Sequence, residues 1–144
     1  MQEPATLADP LRGKVEALQT ELLKLPQAEL PTEHIFHGGM YCRQVVQPAG
    51  CLVVGKVHKR EHFFMLVQGV LAVTEGDGVA EEIHAPFLHC SAPGTKRALL
   101  ALTDVLYMTI HRTDATGVEE AEDDLVEPDP TSPFLPGNKL KVLT

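Results

Sequence analysis

The 144-residue chain lacks several features on which common functions depend. It has two serines, and neither lies in the G-x-S-x-G context of a nucleophile elbow. Its three cysteines form no C-x-x-C pair, and no glycine-rich phosphate-binding loop is present. No apolar run approaches the roughly 20 residues that cross a bilayer. The Met-Gln-Glu-Pro start lacks the basic and apolar stretches of a secretory signal, so we expect no secretion by a signal peptide.

Basic residues are also scarce, with 12 Lys and Arg against 20 Asp and Glu and a net charge of −8. Nucleic acids and anionic membranes both require a basic face, so we expect neither as a partner. The charge is unevenly distributed. Asp114 to Asp129 contains eight acids and no base, whereas Arg43 to Arg112 is nearly neutral. The acidity is therefore concentrated towards the C-terminal end of the chain.

The first 32 residues predict a loose leader (residues 1–9) followed by an amphipathic helix. Asp9-Pro10 supplies an N-cap and a proline at the first helical position. Apolar residues at helical spacing then continue to Leu25, and Pro26 ends the pattern. We expect a helix over residues 10–25 that buries its apolar stripe against the rest of the fold or against a neighbouring subunit.

From residue 33 to residue 113 the pattern changes to short strands separated by glycine and proline turns. Asp77-Gly78 predicts a hairpin, and the segment His34 to His37 is expected in a turn. The absence of intervening helices predicts a mainly β domain, a small barrel or sandwich. The predicted strands are residues 40–47, 51–58, 62–68, 70–75, 79–84, 97–102 and 105–111.

The last segment, residues 114–144, predicts a short acidic helix over 118–126 and then an extended proline-rich arm. The expected organisation is thus an N-terminal leader and helix (1–32), a β domain (33–113) and a C-terminal acidic segment with its arm (114–144).

One stretch combines barrel-like spacing with unusual chemistry. It runs from Gly50 through Lys56, His58 and His62 and closes at Gly69. Residues two apart on a strand face the same side, so Lys56 and His58 point together, and a tight turn brings His62 to the same cavity. The spacing resembles the first motif of cupins, whose metal site would carry His, His and Glu at these three positions.

The second cupin motif has its nearest match at Pro93-Gly94, where Arg97 stands at the fourth ligand position. Cations occupy two of the four ligand positions, and they would repel a divalent metal ion. Two like unit charges about 4 Å apart repel each other by roughly 4 kcal/mol at an effective dielectric of 20. We therefore expect no metal and no cofactor. If a metal is bound, His58, His62 and His111 are its candidate ligands.

The same residues favour an anion, since an arginine fork fits a carboxylate or a phosphate. The candidate ligand-binding residues are Lys56, His58, His62, Arg97, Arg43 and His111. The alternative is that an internal acid or a backbone carbonyl satisfies these groups. No residue is predicted to be catalytic.

Blocks of sequence over roughly residues 33–126 resemble cupin-like proteins encoded by tailed bacteriophages and prophages. They are Gly39 to Arg43, Gly55 to Lys59, Ala85-Pro86, Ser91 to Arg97 and Thr109 to Thr113. The resemblance implies a cupin (RmlC-type) jelly-roll barrel in a phage context and implies no reaction.

Three functions follow as hypotheses. The first is a non-catalytic, homo-oligomeric barrel, a virion or virion-assembly component located in the virion or the host cytoplasm, with other phage structural proteins as further partners. The second is an enzyme or sensor that binds a small anion in the barrel through Lys56, His58, His62 and Arg97. The third is a metalloenzyme.

Overall fold

Two antiparallel sheets enclose the interior of the protein in a computed structural model, which describes residues 10–25, 27, 29–74, 79–129, 134–135 and 139–140. One sheet has five strands in the order β1-β2-β9-β4-β7, and the other has four in the order β3-β8-β5-β6. The strands are β1 (Thr32–His37), β2 (Met40–Gln47), β3 (Leu52–Val54), β4 (His62–Gln68), β5 (Val70–Thr74), β6 (Ala80–His84), β7 (Phe87–Ser91), β8 (Ala98–Ala101) and β9 (Val105–Arg112).

Two helices and one further strand pair complete the described chain: α1 (Pro10–Leu22), α2 (Val118–Leu125), β10 (Phe134–Leu135) and β11 (Lys139–Leu140). Val15 of α1 is buried, and the helix lies against β3. The carboxylate of Asp129 accepts hydrogen bonds from Gln19 of α1 at 3.2 Å and from Lys96 at 3.1 Å. Val15 and Gln19 of α1 are thus buried against the rest of the chain. None of the helices in the described part of the chain is long and apolar enough to span a membrane.

The interior changes from apolar to polar along the strands of the five-stranded sheet. The inward residues of β9 are, in order, Val105, Tyr107, Thr109 and His111. Neighbouring β2 and β4 lie in register with this gradient, because Val45 of β2 pairs with Tyr107 and Phe64 of β4 pairs with Thr109. The period-two alternation of strands therefore builds an apolar core and a polar chamber from the same strands. The core contains Val45, Phe64, Leu66, Leu71, Val73, Ile83, Leu99, Ala101, Val105 and Tyr107.

A fully buried glutamine joins the two sheets at the apolar end. Gln47 of β2 donates from Nε2 to the carbonyls of Cys51 at 2.7 Å and Leu99 at 3.0 Å. Its Oε1 accepts a hydrogen bond from the Tyr107 hydroxyl at 3.1 Å. Because both of its polar atoms are bonded, this side chain avoids the cost of burying an unsatisfied polar group.

Most predicted elements are confirmed, some with shifted ends. Strands 40–47 and 62–68 agree with β2 and β4, and the acidic helix is α2. Helix α1 ends at Leu22 rather than Leu25. The antiparallel pairing of β5 and β6 agrees with the predicted hairpin, whose turn, 75–78, lies outside the described residues, as do the leader (residues 1–9) and much of the C-terminal arm.

Three sequence predictions are wrong. His34 to His37 lie in strand β1, paired with β2, and not in a turn. Strand β7 was not predicted. The strand expected over residues 51–58 ends at Val54, because the chain then leaves the sheet to pair with the segment after α2, where His58 bridges to Val126.

Substitution of Gly69, which joins β4 to β5 at φ +92°, tests this corner. A Cβ at this position would collide with the backbone oxygen of Asp104 and would lie 2.6 Å from the Thr103 hydroxyl. We expect Gly69→Ala to lower the free energy of unfolding by about 2–4 kcal/mol, from backbone strain plus overpacking. Gly50 is the matched control, with φ +81° and no atom within 4 Å, and Gly50→Ala should cost only about 1–2 kcal/mol. Equal losses in urea unfolding would contradict the proposed collision.

Candidate functional site

All six predicted ligand-binding residues line one cavity of about 100 Å³ at the polar end of the interior. Arg43 comes from β2, His62 from β4 and His111 from β9. Lys56 and His58 come from the segment after β3, and Arg97 precedes β8. The prediction that these side chains share a cavity is therefore correct in its geometry, and their role in binding a ligand stays a prediction.

Three histidine rings are packed together in this cavity. The ring centroids of His58 and His62 are 4.2 Å apart, those of His62 and His111 are 4.7 Å apart, and those of His58 and His111 are 5.1 Å apart. The planes of the last two pairs differ by only 25° and 13°. Tyr41 also stacks on His111, with ring centroids 5.8 Å apart.

Burial keeps these imidazoles neutral. It lowers the pKa of His58 to about 2, with further contributions from His62 and His111, and lowers the pKa of His111 to about 3. The pKa of His62 is lowered for the same reason, opposed in part by a hydrogen bond to the backbone of Arg60. Burial also raises the pKa of Tyr41 to about 12, so its phenol stays protonated. At neutral pH the cluster therefore offers hydrogen-bonding atoms without charge.

Two further observations bear on whether the histidines can hold a metal ion. The planes of His58 and His62 differ by 36°, whereas the other two pairs of rings are closer to parallel. Nε2 of His111 is also hydrogen-bonded to the Thr109 hydroxyl at 2.8 Å. Within the described part of the chain, no group of three or more His, Cys, Asp or Glu side chains is placed to hold a metal. The structure brings the three histidines together, and the expectation of no metal, with these three as the candidate ligands otherwise, stays a prediction.

Permanent cations outnumber acids around the cavity. Arg43, Lys56 and Arg97 line it, and among its described lining residues Glu122 is the one carboxylate. The Lys56 ammonium lies 4.0 Å from that carboxylate, and Arg97 donates to the Ser91 hydroxyl at 2.8 Å. An internal acid thus partners one of the predicted cations, as the alternative interpretation of the sequence proposed, and three cations and one carboxylate stand among the described lining residues.

Helix α2 covers this cavity, a role that sequence reasoning did not predict. Ala121 and Leu125 are buried and line it together with Glu122. Their spacing of four residues indicates a buried stripe on the acidic helix, but nothing in the sequence says which surface the stripe covers.

Polar contacts hold the outer face of α2 in place. Asp124 accepts hydrogen bonds from Arg60, at 2.5 and 3.1 Å, and from the Thr113 hydroxyl at 2.8 Å. Lys59 donates to the carbonyl of Asp123 at 2.8 Å. The two basic residues in the turn before His62 therefore fix the cover over the histidine cluster.

The comparisons with known proteins bear on the fold. The sequence matches no family model and none of the curated proteins to which it was compared. The structure is similar to KdgF from Halomonas sp., with a TM-score of 0.53 and 14% identity over 62% of this chain and 84% of that one. It is equally similar to an uncharacterised Klebsiella pneumoniae protein with a double-stranded β-helix domain, with a TM-score of 0.53 and 12% identity over 69% and 90% of the two chains.

A cupin superfamily protein from Desulfitobacterium hafniense is a further neighbour, with a TM-score of 0.51 and 11% identity over 62% of this chain and 84% of that one. Likeness at such low identity concerns the fold alone. The predicted fold class is confirmed: the protein is mainly β, with the cupin type of double-stranded β-helix and two helices. These neighbours carry no information on a phage origin.

The buried histidines predict a loss of stability in acid. In the unfolded chain they bind protons below about pH 6.5, whereas in the folded chain they stay neutral to much lower pH. The free energy of unfolding should therefore fall as the pH drops below 6.5, by up to about 1.4 kcal/mol per pH unit for each histidine. Urea unfolding at pH 7.5, 6.5 and 5.5 measures this slope. His111→Gln should give a shallower slope, and an unchanged slope would contradict the assignment.

Proposed function

We propose that the protein binds a small anion, a carboxylate or a phosphate, in the cavity beneath α2. The observation that carries this proposal is the placement of Arg43, Lys56 and Arg97 around one cavity, whose described lining residues include one carboxylate, Glu122. Three cationic side chains around one cavity attract an anion, in surroundings where charge interactions are stronger than in water.

The size of the cavity limits the anion. About 100 Å³ corresponds to roughly three times the liquid volume of one water molecule, well below the several hundred Å³ of a drug-sized pocket. Acetate, phosphate and similarly small groups are of the right scale. Arg97 supplies a planar fork for such a group, and the neutral histidines supply further donors.

The chemistry of the histidines favours binding over catalysis. A general base works best when its pKa lies near the operating pH. The pKa of His58, at about 2, and that of His111, at about 3, are far below neutrality. In this proposal the protein is a binding protein or a sensor, and the histidines orient the ligand without exchanging protons with it.

Loss of Arg97 should weaken anion binding. Because a hydrogen bond to a charged group contributes about 1.5–3 kcal/mol, we expect Arg97→Met to raise the Kd for acetate and phosphate about 10- to 100-fold. NMR titration with each salt measures the Kd, and urea unfolding checks that the variant is folded. Arg112→Met, at an exposed arginine, is the matched control and should bind as the wild type does. If neither anion binds the wild-type protein, the proposal is wrong.

A second proposal is that the protein is a homo-oligomeric structural component of a phage virion. The observation that favours self-association is the outer face of the five-stranded sheet. The strand registers place one outward row across all five strands: Ile35, Cys42, Ile110, Phe63 and Cys90. In this row Ile35 and Phe63 are 45% and 44% exposed, and Leu88 in the next row is 53% exposed.

The extent of this outer face suits a second copy of the chain. Five strands about 4.8 Å apart and about 20 Å long present roughly 500 Å² per copy, so a two-fold pair buries about 1,000 Å², near the lower limit of a specific interface. A two-fold contact joins the same patch on both copies, which an apolar, nearly uncharged row allows. The phage context is supported by the resemblance of the sequence blocks.

Charged substitutions on the outer face should break self-association. We expect light scattering after gel filtration to give the mass of two or more wild-type chains and of a single Phe63→Lys/Leu88→Lys chain. Leu102→Lys, at an exposed leucine in a turn, is the control and should leave the mass unchanged. A monomeric wild-type protein would overturn the assembly proposal. The virion role further requires the chain in purified particles of the phage that encodes it, by mass spectrometry, and its absence would overturn that role.

A further inference from the structure

A second, larger cavity lies next to the first and is lined mainly by apolar side chains. Its volume is about 280 Å³. It is bounded by the inner faces of β4 and β7 on one side and of β5, β6 and β8 on the other. Its lining residues are Phe64, Val73, Ile83, Phe87, Leu99, Glu81, His89 and Arg97.

Protein interiors are close-packed and contain few voids larger than a water molecule. An engineered apolar cavity of about 150 Å³ stays dry and accepts benzene. A cavity of 280 Å³ with five apolar lining residues is therefore large enough for a hydrocarbon group. Glu81 in its lining is exposed, so the cavity reaches the protein surface beside the edge strand β6.

Phe64, Leu99 and Arg97 line both cavities. Arg97 therefore borders both the polar cavity and the apolar one. A carboxylate bound to Arg97 would lie among the histidines and cations of the first cavity, and a hydrocarbon group attached to it would extend into the second.

We propose that the ligand is an amphipathic monocarboxylate with its head on Arg97 and an apolar tail of about four to six carbons in the second cavity. This inference rests on the proposed anion-binding function and narrows its ligand class. The acidic side chain of Glu81 in the lining of the second cavity disfavours a second carboxylate at the far end of the tail. The preferred ligand is thus a monoacid with an alkyl or phenyl tail.

The test compares acetate, butyrate, hexanoate and octanoate by NMR titration of the full chain. Each methylene buried in the second cavity should lower the Kd about fourfold, up to roughly six carbons. Adipate, which has the chain length of hexanoate with a second carboxylate, should bind more weakly than hexanoate. Hexanol should bind far more weakly than hexanoate, because it lacks the charge that Arg97 recognises.

Variants that fill the second cavity give the matched comparison. Ile83→Phe and Val73→Phe should abolish the dependence on chain length and leave the Kd for acetate within about twofold of the wild-type value. Val46→Phe, which adds the same bulk on the exposed outer face, should retain the full dependence. Two cavity-filling variants are compared, so that the test still holds if one of them does not fold.

The outcomes separate the two proposals. If all four carboxylates bind with the same Kd, or if hexanol binds as tightly as hexanoate, the amphipathic ligand is overturned while anion binding stands. If no carboxylate binds and phosphate does not bind either, the anion-binding function itself is overturned. A Kd that falls with chain length in the wild type but not in the filled variants supports the inference.

Discussion

A buried charge costs several kcal/mol unless an opposite charge offsets it or the group loses its proton. This cost arises at each histidine, lysine and arginine side chain that lines the cavity between the two sheets. The histidines meet it by losing their protons: burial and mutual repulsion keep His58 and His111 neutral. Lys56 meets it through the carboxylate of Glu122 at 4.0 Å, and Arg97 donates to Ser91. Helix α2 therefore contributes to offsetting this charge, because it supplies Glu122.

The acidic helix α2 and the cationic side chains of the cavity are therefore complementary in charge. The inner side of α2 carries Ala121 and Leu125, which exclude water, and Glu122, which offsets part of the positive charge. Its outer side carries Asp124, held by Arg60. Surface ion pairs of this kind are individually weak, so burial of the apolar residues supplies most of the cover's stability. The pair with Arg60 instead sets where the cover lies.

Sequence reasoning predicted the strands whose buried residues follow a strong period-two pattern. It failed for elements whose position depends on contacts with residues far away in the sequence. Strand β4 alternates buried and exposed side chains, and its prediction was correct. Strand β1 has no fully buried residue and lies at the edge of its sheet, so its two histidines resembled a polar turn. Lys56, His58, His62 and Arg97 were found from the spacing of the two cupin-like motifs, and Lys56 and His58 line the cavity although β3 ends at Val54. The place of α2, and with it Glu122, depends on contacts across the fold that no local pattern encodes.

The two proposed functions use opposite faces of the same strands and can therefore coexist. In β4, His62 and Phe64 face the cavities, while Phe63, between them, lies on the outer sheet face. A substitution on one face changes the side chains there and leaves the backbone hydrogen bonds of the strand intact. Each function can thus be removed separately. Phe63 and Phe64 are adjacent and chemically identical, and the alternation of side chains along the strand places them on opposite faces of the sheet.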